Sequence, residues 1–357
     1  MRIARHLGEL SLAAFLLSLP GCSATVSSDL RNETVNPGQG KLAGHQVLKW
    51  YKVDESAFPG AIFQDESARY WVGNGVGLSN YDESQNIWTN IGLEALGWRT
   101  CDIKQIAQSS DRRLWIRSTP LLFDNIRVFD GKRWSSVQRL AASRVATIFS
   151  GASGKLWFAV GGELMAYEHG GWSLRLRVSD LVKNPKLSYI FSINTGLEDR
   201  NGLIWLAARD GIITLMPGTS KQTHYFEDEN LAHVRCMYED NMESVWVGSY
   251  EGSVSFYDRT KSSWRNYDLS KQVALGSQKG GHDRLTLSVN AIQQDKSGLL
   301  LIATTRGLVT VDGMGNKWQA FTHDNSLLPE GSITTMMQDK YGRIWIGTGE
   351  GILVLGE

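Results

Sequence analysis

Near the end of the chain stands Asp339-Lys340-Tyr341-Gly342-Arg343-Ile344-Trp345-Ile346-Gly347-Thr348-Gly349-Glu350-Gly351-Ile352-Leu353-Val354-Leu355. It reads as a tight turn, a strand, a second turn and another strand. In Asp-x-x-Gly the carboxylate accepts backbone N–H groups and the glycine supplies a positive φ. The strand that follows, residues 343–347, is apolar at consecutive positions, as expected where both faces are covered. The same grammar recurs six times upstream, anchored on Trp71, Trp115, Trp157, Trp205, Trp246 and Leu301. From Trp71 to Trp345 the anchors recur about every 46 residues, the period of a propeller blade.

Each recurring offset has a mechanical reason. Six residues before the anchor stands Asp65, Asp199, Asp240, Asp295 or Asp339, and three before it Gly154, Gly202, Gly298 or Gly342. Two residues after it the side chain is small (Gly73, Ala159, Ala207, Gly248, Ala303, Gly347), which suits positions near an axis where blades converge. Glycine six residues after the anchor closes the next hairpin. A fourth strand carries its own tryptophan at Trp88, Trp134, Trp172, Trp264 and Trp318. The last repeat lacks that strand, while residues 46–52 around Trp50 form a fourth strand with nothing before it. The N-terminal strand is therefore expected to complete the C-terminal blade and leave no free edge at the seam. The fold expected is all-β: a seven-bladed β-propeller over residues 45–357.

Composition agrees with this reading. Glycine (37) and tryptophan (13) are abundant, and no long helix-period stretch follows residue 22. Lys plus Arg equals Asp plus Glu at 37 each, so the chain has no electrostatic reason to bind nucleic acid. Three cysteines make no disulfide framework, and Cys101 and Cys236 are expected as free thiols.

The N-terminus reads as an export signal over residues 1–21. Arg2, Arg5 and His6 precede an apolar run from Leu10 to Leu19, too short for a stable membrane span. Leu19-Pro20-Gly21-Cys22 resembles the lipobox of bacterial lipoproteins, with Pro20 where a small or β-branched residue is usual. The resemblance implies that Cys22 is lipidated, that the membrane is contacted through that anchor and, from Ser23, that the outer membrane is the destination. A plain cleaved signal and an uncleaved anchor are the alternatives. Residues 22–44, rich in Ser, Asn, Thr and Gly, are expected to be a flexible tether.

Ile333-Thr334-Thr335-Met336-Met337-Gln338-Asp339, followed by residues 342–348 and Gly351-Ile352, resembles the two-component regulator propeller repeat. The resemblance extends to residues 202–207 with Gly211-Ile212, to residues 245–248 with Gly252, and to residues 70–73 with Gly77-Leu78. It implies a ligand-sensing envelope propeller of the kind found in hybrid sensor kinases, several of which respond to glycans. No second apolar span and no kinase region with a phosphoacceptor histidine follows the repeats. The chain is accordingly expected to present a ligand or to contact an envelope protein that signals, and to act as a monomer.

Propellers gather the turns between second and third strands, and those between blades, around one mouth of the central channel. The candidate ligand contacts there are Arg209, Asp210, Tyr250, Glu251, Arg306 and Glu350, whose mixed charges suit a polar or sugar-like ligand. Solvated turn residues are the plain alternative. Two repeats are stretched, between Trp172 and Trp205 and between Trp264 and Leu301, the second by residues 269–284; such long loops are candidate lids, with tolerated surface insertion as the alternative. Blade two is irregular, with Arg117 in the small-residue position and residues 118–124 replacing the glycine hairpin. No catalytic, cofactor or metal residue is assigned, because the seven histidines are scattered without ligand spacing. A lyase or hydrolase acting on a polysaccharide or other polar substrate is the alternative to a binding protein.

Overall fold

The computed structural model describes residues 30–32, 41–53, 58–119, 124–140, 144–177, 193–208, 211–219, 221–225, 229–273, 287–329 and 332–356. Antiparallel sheets succeed one another along them, seven in all. Their first strands are Ala61–Gln64, Asp102–Gln108, Val145–Ser150, Ile193–Glu198, Val234–Glu239, Val289–Gln294 and Ile333–Gln338. Each of these touches the first strand of the next sheet, and the last touches the first. The sheets therefore close a ring around an axis, as the seven-blade reading expects.

Blade seven consists of Ile333–Gln338, Ile344–Thr348 and Gly351–Gly356, completed by His45–Val53 from the N-terminal side. Gln46 lies opposite Gly356 and Lys52 opposite Gly351, so the seam is a β-ladder along the whole last strand. The expected tether needs a correction. Leu30–Asn32 adds a further strand outside His45–Val53, and Lys41–Leu42 forms a hairpin with it. Leu42 is fully buried in the core of blades six and seven. Burial of Leu42 and the ladder with His45–Val53 offset part of the entropy of ordering the segment.

The core lies between neighbouring blades. In one such layer Trp246, Val254 and Phe256 of blade five pack on Val289, Ile292, Leu300 and Ile302 of blade six. The six anchor tryptophans are at most 2% exposed, which makes their indole N–H groups a hydrogen-bonding problem.

The repeat aspartate solves it. Asp199 accepts the N–H groups of Asn201 and Leu203 on Oδ1, and the indole N–H of Trp205 on Oδ2 at 2.8 Å. Asp240 does the same for Trp246 at 2.8 Å and Asp339 for Trp345 at 3.0 Å, while Asp65 caps its turn and takes Trp71 at 2.8 Å. The residue that the sequence reads as a turn former thus also ties the turn to the core. Three blades vary the device. Ser109 accepts the Trp115 indole at 3.0 Å. In blade three Gly151 stands at the aspartate position, and Glu198 from blade four accepts the Trp157 indole at 2.6 Å. A Cβ on Gly151 would fall on that carboxylate. In blade six the anchor is Leu301, and the second oxygen of Asp295 faces His45 Nε2.

The seam between blades seven and one carries its own network. Arg343 donates from Nε to Asp339 at 2.7 Å and from both terminal nitrogens to Glu83 at 2.7 and 2.8 Å, and Lys49 reaches Glu83 at 2.9 Å. Beneath it Tyr70 stacks on Trp345 at 4.1 Å and Tyr81 on Trp88 at 4.7 Å. Arg343 and Lys49 hold the Glu83 carboxyl down from its usual range to about 2.

Candidate functional site

The ring has two ends. The aspartate turns lie at one, and the turns between second and third strands at the other, where the candidate contacts were expected. At this second end the first strands share an irregularity. In six blades a β-bulge falls at the second or third residue of the first strand, namely Lys104, Ala146, Asn194, Arg235, Asn290 and Thr334. A bulge re-aims a side chain out of the pleat. Six blades therefore turn one residue out of register where the channel opens.

Arg117 reaches the same place from the second strand of blade two. The position is small in the other blades because the next blade lies against it: a Cβ on Gly248 would strike Val289, and one on Gly347 would meet Thr335 and Pro59. Arg117 lies directly opposite Gln105 in the ladder and donates from Nε to its Oε1 at 2.5 Å. That amide is itself committed to blade three, accepting Ile148 N–H at 2.9 Å and donating to Thr147 Oγ1 at 2.9 Å. Burial pushes the Arg117 guanidinium down to about 10; the neighbouring Arg144 guanidinium adds to the shift and the Tyr250 phenol opposes it. Tyr250, from blade five, is thus within electrostatic reach of an arginine from blade two.

Tyr250 is held from below. Its N–H donates to His233 O at 3.1 Å, and its ring lies under the Arg235 guanidinium at 4.8 Å. Arg235 also donates to Ser288 Oγ at 3.4 Å, at the entry to blade six. Among the described residues, no carboxylate lies within ion-pair distance of Arg117, Arg144 or Arg235. Arg127, in the same irregular blade, differs: it donates to the carbonyls of Leu96, Ile126 and Gly97, pairs with Asp124 at 2.9 Å and lies over Trp98. Arg127 is structural, whereas Arg117 has a single neutral acceptor.

Of the sequence-derived contacts, Tyr250 belongs to this cluster. Glu251 and Glu350 are exposed on their turns, whose backbone is bound by Ser249 and Thr348 hydroxyls. Arg306 sits half-buried in the corresponding turn of blade six, its N–H bound by Thr304 Oγ1 at 3.1 Å. Arg209, Asp210 and Cys22 lie outside the described residues, as do residues 178–192, 274–286 and 120–123 of the candidate lids and the irregular hairpin. Arg144 and Arg235 were missed. The signal for Arg235 is a long polar residue between Val234 and Cys236, legible only once a bulge is known to sit there.

A separate cleft of about 370 Å³ lies between blades four and five, lined by Trp205, Tyr225, Tyr257, Lys221 and Arg259 among others. Its guanidinium is already engaged by Asp199 at 2.5 Å and by the Glu243 carbonyl. Cys101 and Cys236 are free, and burial pushes their thiols up to about 11 and 12. Among the described residues no group of three or more His, Cys, Asp or Glu side chains is placed to hold a metal ion, and no helix is long and apolar enough to cross a membrane.

Ring and seam together define a seven-bladed β-propeller. Residues 327–350 match the family model described as two component regulator propeller. Among solved structures the chain resembles the extracellular domain assigned to a hybrid two component system of B. thetaiotaomicron, with TM-score 0.61 and 17% identity over 91% of this chain and 39% of that one. It resembles virginiamycin B lyase from Staphylococcus aureus with TM-score 0.61 and 11% identity, over 85% of this chain and 95% of the lyase. A third likeness is to PorZ, a surface component of the type-IX secretion system of Porphyromonas gingivalis, with TM-score 0.60 and 20% identity over 84% of this chain and 46% of that one. At these identities the likenesses show the shared propeller fold, and the chain spans about two-fifths of the two-component ectodomain. No curated protein matches the chain by sequence.

Proposed function

We propose that this is an exported propeller, anchored to the outer membrane through lipidated Cys22, whose channel mouth binds a polar ligand or an envelope partner. The observation that carries the reading is Arg117: a guanidinium with one neutral acceptor fills a position that other blades keep as glycine or alanine. Ordering and desolvating that side chain costs the empty fold, so a bound partner is what makes the arrangement favourable. Tyr250 and Arg235 supply an aromatic face and a second donor beside it. The likeness to a two-component ectodomain suits a sensor or ligand-presenting role, and Arg117, Arg235 and Tyr250, at the same end as the exposed Glu251 and Glu350, suit a polar ligand.

A thermal-shift screen of the purified protein against glycans tests the reading, because a ligand that binds only the folded form raises the midpoint. The response is expected to vanish in Tyr250→Ala. Undiminished binding by Tyr250→Ala and Arg117→Gln would place the ligand elsewhere. The anchor is tested separately: Cys22→Ser releases the protein from the membrane fraction, and an unprocessed cytosolic parent chain rules the anchor out.

A further inference from the structure

We infer that the channel mouth is a receptor for an anionic group, a carboxylate, sulfate or phosphate carried by a polar molecule, gripped by Arg117, Arg144 and Arg235 with Tyr250 between them. The inference deepens the ligand-binding reading and rests on it. Its first ground is a contrast within the molecule. Where arginines are drawn into the ring for structural ends, each meets a carboxylate: Arg343 meets Asp339 and Glu83, Arg259 meets Asp199, and Arg127 meets Asp124. At the mouth, the described residues supply Arg117, Arg144 and Arg235 with none.

The second ground is geometry. Arg117 is fixed by the Gln105 amide through Nε alone, and the hydrogen bonds described for it leave the terminal nitrogens without an acceptor. Those nitrogens form the edge of the guanidinium fork, the part that binds a planar oxyanion in two parallel hydrogen bonds. Arg235 is turned out by a bulge, steadied by the Tyr250 ring and by Ser288. Arg144, exposed at the entry to blade three, is the outer cation. Arg117 and Arg235 come from blades two and five, and Tyr250, which stacks against the Arg235 guanidinium, also bears electrostatically on Arg117.

The third ground is energetic. Burial strips water from the Arg117 guanidinium and is the main reason its pKa falls, and the like charge of Arg144 adds to that cost. An anion entering the mouth reverses the sign of the interaction and replaces water lost from the donors. A neutral sugar gains only ordinary hydrogen bonds and leaves the repulsion in place.

The test uses the purified full chain, by thermal shift and calorimetry at constant ionic strength. Probes are an oligogalacturonate, the same oligomer with its carboxylates methyl-esterified, inorganic phosphate and inorganic sulfate, the last two at up to tens of millimolar. The acidic oligomer or the inorganic oxyanions are expected to raise the midpoint, and the ester to do nothing. Arg117→Gln, Arg235→Gln and Arg144→Gln should each weaken binding by about tenfold or more. Arg144 is exposed, so its variant reports on binding even if Arg117→Gln folds poorly. A response to the oligomer alone assigns acidic glycans, and a response to phosphate or sulfate alone assigns free or headgroup oxyanions. Equal binding of ester and acid, lost in Tyr250→Ala, overturns the anionic inference and leaves the ligand reading standing. No shift with any anion also overturns it. Anion binding that survives all three arginine substitutions overturns both.

Discussion

His45 Nε2 lies 3.1 Å from Asp295 Oδ2, and both side chains are less than a tenth exposed. The pair joins the N-terminal strand of blade seven to the aspartate turn of blade six. It stands where other blades place an indole N–H, for Leu301 offers Asp295 no donor. His45 Nδ1 lies 3.1 Å from Ala43 O, so the ring bridges the short hairpin to the turn. His45→Ala should lower unfolding free energy by about 1–3 kcal/mol, the cost of stranding a buried carboxylate. In a double-mutant cycle by urea denaturation, Asp295→Asn should add little to His45→Ala. Fully additive losses would show that the two groups do not support each other.

Blades three and four exchange a carboxylate. Gly151 leaves room for Glu198 to reach the Trp157 indole across the blade boundary. Gly151→Ala should therefore cost about 1–3 kcal/mol through overpacking. Gly151→Asp and Glu198→Ala should each destabilise alone, the first by collision and the second by leaving the indole unpaired. Combined, they rebuild the arrangement of blades one, four, five and seven, so the double variant should be more stable than the sum of the single losses predicts. Strict additivity, read from denaturation midpoints, would rule out this exchange.

Acid should loosen the seam. Glu83 is held down to about 2 from the ordinary 4.5, chiefly by hydrogen bonds from Arg343 and then Lys49. A carboxyl with a depressed folded pKa stabilises fully above its unfolded value and loses that contribution as pH falls towards the folded one. The thermal midpoint should thus drop between about pH 4.5 and about pH 2, and more steeply in the parent than in Glu83→Gln. Parallel curves for the two proteins would remove Glu83 from the account.

The folded ring starts before residue 45. Leu42 is fully buried, so a chain beginning at residue 45 should be less stable than one beginning at residue 41 by about 2 kcal/mol or more. Leu42→Ala in the longer chain should shift the urea midpoint in the same direction. Equal midpoints for the two lengths would return residues 41–44 to the tether.

The repeat made the architecture legible because each blade restates it: the anchor, the aspartate turn and the small residue are local rules, and local rules survive in sequence. What connects blades is less visible. Glu198 serving Trp157, or His45 serving Asp295, pairs residues 41 positions apart in the first case and towards opposite ends of the chain in the second. No spacing rule links them. The mouth was half legible. Of the residues proposed for it, Tyr250 is readable from its turn and Arg117 from its breach of the repeat, whereas Arg144 and Arg235 acquire meaning only through closure and through bulges that periodicity does not encode. The tether boundary was misplaced because one buried leucine among polar residues carries no period.

The ladder between residues 46–52 and 351–356 also sets a timetable. A strand near the beginning of the ring has to wait until almost the whole of it has been made before its partner exists, and contacts so distant in sequence form slowly. Until that moment blade seven presents an unpaired edge, open to a strand from another molecule. Completion of the ring is therefore the concentration-sensitive step of folding, and the N-terminal strand, in occupying the edge, protects the protein from its own copies.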